Sequence, residues 1–214
     1  MKHGIEFKIG NVKKHSLIDW GVFLSPFNIP SAEVKTSYVD IEGADSSIDL
    51  TDVFGITYKD LKFTLSFTMK SCDYDSKLRE IKAFLHGRMA QITTYRDENY
   101  YYLGRCQVNE FKSSKARGTL SIDVIAKPYK YKQTVTEVTV NVTGTTTHAF
   151  MNDSMKVVPS FLCSNDMEIQ FKDVTYNVGT NQVKLADIIF DYGENNVTFI
   201  GNGTVKVTYQ EGAI

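Results

Sequence analysis

The chain has 214 residues, with three cysteines, four prolines, a single tryptophan and a net charge of −1. Each shortage excludes something. Cys72, Cys106 and Cys163 are odd in number and widely spaced, and a disulfide framework in a chain of this length needs more pairs. No Cys-x-x-Cys occurs and the histidines are scattered, so no structural zinc site is expected. The balanced charge lacks the basic excess of a nucleic-acid binder. No apolar run approaches the roughly 18 residues of a membrane span. The opening MKHGIEFKIG lacks the apolar core of a signal peptide, which predicts synthesis and folding in a cytoplasm. Hydrophobic residues make up 42%, ordinary for a globular chain, so wholesale disorder is not expected.

Catalytic patterns are also missing. There is no Gly-x-Ser-x-Gly elbow and no local cysteine-protease signature. His15 lies near Asp19, His86 is placed in a helix and His148 in a loop, all three as surface or capping residues. The acidic groups Asp40/Glu42/Asp45, Asp49/Asp52, Asp73/Asp75 and Asp97/Glu98 fall in predicted turns, where solvated or capping roles are the simpler reading than paired catalytic carboxylates. Gly201-Asn202-Gly203 lacks the following helix of a phosphate cradle and reads as a hairpin turn. No catalytic residue, metal ligand or cofactor site is assigned. The sequons at Asn141, Asn152, Asn196 and Asn202 reflect a composition suited to turns and exposed strand faces.

What is present is β-periodicity. Residues 1–31 read as a leading arm with short strands, broken at Pro26 and Pro30. Val34 to Ile41 reads as the next strand, and Gly43-Ala44-Asp45-Ser46-Ser47 as a tight turn. From Leu61 to Met69, Phe63, Leu65, Phe67 and Met69 alternate with polar residues, as on a half-buried strand. One helix is predicted from about Ser76 to His86. Leu78, Ile81, Phe84 and Leu85 form its apolar face, Asp73, Asp75 and Ser76 suit its start, and Gly87 ends it.

A hairpin follows, with Gln91–Tyr95 and Tyr100–Val108 flanking a four-residue turn, Arg96–Asn99. Tyr95, Tyr100, Tyr101 and Tyr102 crowd its tip. They suit either an interface or cross-strand pairing within the fold. Gly118–Ala126 alternates again, and Lys127-Pro128-Tyr129-Lys130-Tyr131-Lys132 is expected to stop that strand. The boundary is placed there, dividing the chain into domains 1–131 and 132–214. The second part reads as short strands punctuated by Gly144, Asp173, Gly179–Asn181, Gly193–Asn196 and Gly201–Gly203, a β-sandwich pattern. About 80 residues is marginal for an independent core, so docking is expected to help stabilise it.

In order along the chain, Val39-Asp40-Ile41-Glu42-Gly43-Ala44-Asp45 with Ile48-Asp49-Leu50-Thr51, Tyr58 before Leu61–Met69, Tyr102-Leu103-Gly104-Arg105, Gly118 to Tyr129, and Gly193–Phe199 with Gly201-x-Gly203-Thr204-Val205 and Tyr209-x-Glu211-Gly212 resemble the distal tail proteins of long-tailed, non-contractile phages of Gram-positive hosts. The sequence departs from that pattern at Glu42, where proline is common, at Ser46-Ser47, where Asp-Gly is common, and at Leu61, where an arginine is common. The resemblance implies a mainly β fold. Its first part is a β-sandwich-like ring domain with one α-helix and a long β-hairpin; its second is a galectin-like β-sandwich. It implies a non-enzymatic hexameric ring in the virion, joining the tail tube protein to tip or baseplate proteins of the tail-associated lysin type and leaving a central channel for DNA. A receptor-binding protein is a further implied partner.

Tyr95, Tyr100, Tyr101, Tyr102 and Arg105 are the candidate inter-subunit contacts, with the leading arm and the helix beside them. The lack of basic excess suits a lumen through which DNA passes without being gripped. Two other functions have sequence-level tests. Carbohydrate binding by the second domain has little support: after residue 131 there is no tryptophan or arginine and His148 is the only histidine. Cell-wall hydrolysis by a carboxylate pair predicts clearing on host walls, and none is expected.

Overall fold

The computed structural model describes residues 3–51, 53, 55–70, 74–114 and 117–214. Cys72, Asp73 and Asp52 lie outside them. The chain is mainly β, with one helix among the described residues, and forms two compact units, Met1–Lys130 with Ile214, and Tyr131–Ala213.

The first unit opens with β1 (Ile5–Ile9), β2 (Val12–His15) and β3 (Val22–Leu24). The short strands fall where expected, but they do not form a free arm. β1 lies between β2 and β7 (Met89–Thr94), with Ile5 and Phe7 in the core. The turn after β2 is built locally. Asp19 Oδ2 accepts the His15 N–H at 2.6 Å, and His15 Nδ1 accepts the N–H groups of Leu17 and Ile18, both at 3.2 Å. His15 is therefore a buried turn cap.

β4 (Tyr38–Val39) and β5 (Ile48–Asp49) pair only with each other. The single strand expected over Val34–Ile41 is thus a two-residue strand in a separate small sheet, closed through the expected turn, where Gly43 takes a positive φ of 82° and Ala44 N–H donates to Ile41 O.

β6 (Leu61–Met69) alternates as predicted: Leu61, Phe63, Leu65, Phe67 and Met69 are buried. It pairs with β3 and with β9 (Arg117–Lys132), and β8 (Asp97–Ser114) completes the order β2-β1-β7-β8-β9-β6-β3. α1 (Tyr74–Leu85) buries Ile81 and Leu85 in the same core, with Leu78 and Phe84 half-buried against it. Trp20 holds the helix from the side: its Nε1 donates to Glu80 Oε1 at 3.2 Å and its ring meets Phe84 edge-on. Gly87, with φ of 75°, follows the helix as expected, and His86 lies just past its end rather than inside it.

Two expectations fail in β9 and β8. Lys127–Lys132 does not stop β9, because Pro128 fixes a φ that extended backbone already accepts. The hairpin turn is Tyr95-Arg96, not Arg96–Asn99: Thr94 pairs with Asp97, then Ile92 with Tyr102. The register shift leaves residues 98–101 opposite Thr93 alone, a bulge that accommodates the tyrosine run.

In the second unit β10 (Thr136–Asn152) pairs along its whole length with β15 (Gly193–Tyr209). The other edge of β15 takes β12 (Met167–Phe171) against Val197–Ile200 and β11 (Ser160–Cys163) against Val205–Thr208. β13 (Val174–Val178) and β14 (Gln182–Lys184) flank these, and β16 (Gly212–Ala213) ends the chain. Gly201-Asn202-Gly203 is therefore not a hairpin turn but a bend inside β15, opposite a second bend at Gly144 in β10. The glycines have a physical reason. Their φ values are 149° and 143°, and a Cβ on Gly203 would sit 2.4 Å from Ser164 Oγ where the β11–β12 connection crosses. The bend lets both halves of one ribbon face one core: Phe150, Val197 and Phe199 on one side, Val140, Val142, Val205 and Val207 on the other. His148 lies in β10, its ring 4.7 Å from Phe150, rather than in a loop. Asn152 is fully buried, unlike the exposed sequon expected there.

Candidate inter-subunit surface

The β7–β8 hairpin gathers the sequence-assigned tyrosines, and each is engaged by its own chain. Tyr95 lies 4.1 Å from the His3 ring and edge-on to Phe27, and the Arg96 guanidinium lies 4.4 Å from the Phe27 centroid. Tyr102 meets Phe63 edge-on at 5.8 Å, joining the hairpin to the inner face of β6. Tyr100 sits 5.0 Å under the Lys130 ammonium, which also pairs with Asp97 at 2.7 Å. Tyr101 is half-buried. The intramolecular pairing reading therefore describes Tyr95 and Tyr102; Tyr100 is engaged by the Lys130 ammonium over its ring face. Arg105 is exposed, and its Nη1 donates to Gly87 O at 2.6 Å, fixing the chain that leaves α1.

These contacts set the alkaline behaviour. Burial raises the hydroxyl pKa of Tyr101, and that of Tyr102 despite nearby Lys130. The hydrogen bond to Asp97 raises Lys130 above its ordinary range, against the opposing effect of burial. Burial pushes the Cys106 thiol up to about 12. A group whose folded pKa is raised contributes stability below its unfolded pKa and loses it as pH rises through the folded value. For all four the loss starts above the unfolded thiol, tyrosine and lysine values, so no change is expected near neutrality. Melting temperature should hold from pH 6 to 8 and fall at higher pH, with the drop at pH 11 smaller, relative to its own pH 8 value, in Lys130→Met. An equal drop in both would show that the Asp97–Lys130 pair contributes nothing.

Of the predicted carboxylates, Asp40, Asp49 and Asp97 are turn or strand acceptors, and Asp75 lies in the first turn of α1. Asp49 accepts the Thr51 side chain and amide, which hold its carboxyl below the usual range. Asp40 accepts the Ser47 hydroxyl. Asp97 belongs to the Lys130 pair. No group of three or more His, Cys, Asp or Glu that could hold a metal ion occurs among the described residues, and no helix among them is long and apolar enough to cross a membrane.

A second surface had no assignment from sequence. Between β3 and β6 every residue from 33 to 49 is exposed, including Val34, Tyr38, Val39, Ile41 and Ile48. The outer face of β8, β9 and β6 is also open. It carries a hollow of about 640 Å³ beside Lys62, Arg105, Asp123 and Ile125. Strand alternation gives which residues face outward, but not that the outward face is concave.

No protein-family model matches the chain, and no curated protein does. Among solved structures it is similar to the SPP1 Dit (gp 19.1) protein, titled a paradigm of the hub adsorption apparatus in Gram-positive infecting phages. The TM-score is 0.67 at 14% identity, over 98% of this chain and 99% of that one. The chain thus has the SPP1 Dit fold from end to end.

Proposed function

We propose that this chain is a structural, non-enzymatic component of a phage tail tip. In this reading it forms a hexameric ring between the tail tube and the tip or baseplate proteins, with a central channel for DNA. The observation that carries the reading is the end-to-end correspondence with a hub protein of a phage adsorption apparatus. Both compact units take part in it, so the correspondence is not one common β-sandwich matched by chance. The first unit is proposed as the ring-forming domain and the second as the outer, galectin-like one. Near-neutral charge supports a lumen that does not grip DNA.

Native mass measurement of the purified protein is expected to show six copies, and negative-stain images a six-fold ring. A strict monomer that never joins a tail particle would overturn the reading. Within the hairpin, Tyr95 and Tyr102 pack against the core, and Tyr100 is not among the residues that do. Tyr100→Ser should lower ring yield while the monomer keeps its melting temperature within about 2 °C, since surface changes are usually small in stability. Unchanged ring yield would remove this residue from the contact.

A further inference from the structure

The segment between β3 and β6 is a projecting ribbon with a built stem. Lys35 N–H donates to Thr57 O and Lys59 N–H to Glu33 O, both at 2.8 Å. Val34 bridges Tyr58, and Lys59 pairs with Glu33 at 2.7 Å. Beyond the stem, the two-residue strands β4 and β5 pair with each other over roughly 7 Å at the usual strand rise. An isolated two-stranded ribbon is marginal in water, and a solvated one would carry polar residues on both faces. This one does not. Val39 stands opposite Ile48 on one face and Tyr38 opposite Asp49 on the other, and Ile41 at the turn is 48% exposed. Residues 36–49 also carry Asp40, Glu42, Asp45 and Asp49, with no lysine or arginine.

The same chain presents a complementary surface. Three hollows run along the outer face of β8, β9 and β6. They are contiguous because they share Arg105, Ile125 and Gln107. Among the described residues Lys62, Arg105 and Lys127 line them with Asp60 and Asp123, and Asp123 is already bonded by Thr64 and Asn109. The basic trough has an apolar floor, where Ile125 is 52% and Met89 38% exposed.

We propose that the acidic, apolar ribbon of one copy lies across the basic trough of a second copy. This rests on the ring reading and names its contact. The charges are opposite in sign, both surfaces carry exposed aliphatic side chains, and no described residue covers Ile41, Ile48 or Ile125. Because the two surfaces differ, the contact is head-to-tail, the type that closes into a ring when its rotation allows.

The test is cysteine crosslinking in the full-length chain. Ile41→Cys with Ile125→Cys should give an intermolecular disulfide ladder up to the assembled size on mild oxidation. Cys106 and Cys163 are buried and unsuited to reaction, and the unsubstituted chain serves as the background. Ile41→Cys with Val12→Cys, on the edge strand β2, should give no ladder above that background. An assembly of normal mass without the Ile41–Ile125 crosslink, or with equal crosslinking to Val12, overturns the contact and leaves the ring reading standing. A strict monomer overturns both. Charge exchange is the second arm. Asp40→Lys with Glu42→Lys should weaken association by roughly tenfold at low salt, and adding Lys62→Glu with Lys127→Glu should restore it. Failure of the second pair to restore association also overturns the contact.

Discussion

Gly104→Val should destabilise the first unit by about 3 kcal/mol or more, the upper range for overpacking a filled core. A Cβ at Gly104 would sit 2.6 Å from Val124 Cγ1, 3.0 Å from Ala126 Cβ and 3.1 Å from the Ala126 backbone. None of these is the end of a flexible side chain. Val124 and Ala126 are fixed in turn by β6, as partners of Phe63 and Leu61. The strand cannot give way without opening the β9–β6 ladder. A loss of this size lowers the melting temperature by roughly 10 °C in a unit this large. Thermal unfolding of the soluble variant checks it; a melting temperature within about 2 °C of the parent would show that β8 moves away freely. The Tyr-x-Gly-Arg pattern thereby gains a physical meaning. Its glycine is a close approach of two strands, its tyrosine packs on Phe63, and its arginine fixes the exit of the helix.

Asn152→Ala is the second large effect, and it falls on the other unit. Asn152 Nδ2 donates to the carbonyls of Met155, Phe190 and Asp191 at 3.0, 3.2 and 3.2 Å, and its Oδ1 accepts the Ser154 N–H. Beside it Asn195 bonds both the N–H and the C=O of Asp191. Two asparagines thus hold the irregular segment before β15, where no ladder is available. Phe190 O keeps the Val157 N–H and Asp191 O keeps Asn195 Nδ2, so alanine takes the partner from Met155 O and the Ser154 N–H, at about 1–3 kcal/mol for each group water does not reach, and a loss of about 2–3 kcal/mol is expected. Asn152→Asp should be at least as damaging at neutral pH, since it places a carboxylate against carbonyl oxygens with no donor in return. Urea unfolding followed by a probe in the second unit measures both. An Asp variant as stable as the parent would mean that water fills the site.

Elements with a strong period were readable from the chain alone. β6 alternates without a break over nine residues, and α1 carries its apolar stripe between an acidic start and Gly87. Errors arose where one local signal serves two structures. Gly201-Asn202-Gly203 has turn composition, and a bend within a long strand needs the same backbone freedom. Pro128 removes a donor without ending extended backbone. Asn152 sits in a sequon, and only the packing around it turns its amide into a buried clamp. The tyrosine cluster was visible as composition. That Tyr102 turns inward onto Phe63 depends on a register shift no local window contains.

The sequence by itself determined the mainly β class, the helix Tyr74–Leu85 and the buried faces of the regular elements, because these follow from side-chain period and local backbone preference. Only the tertiary structure decided which strands pair, where long ribbons bend, which polar residues are buried, and that every residue from 33 to 49 is exposed. Pairing and exposure depend on contacts between residues far apart in sequence. The same alternating Val, Ile and Tyr pattern that places a strand in a core also describes one left exposed at residues 38–48.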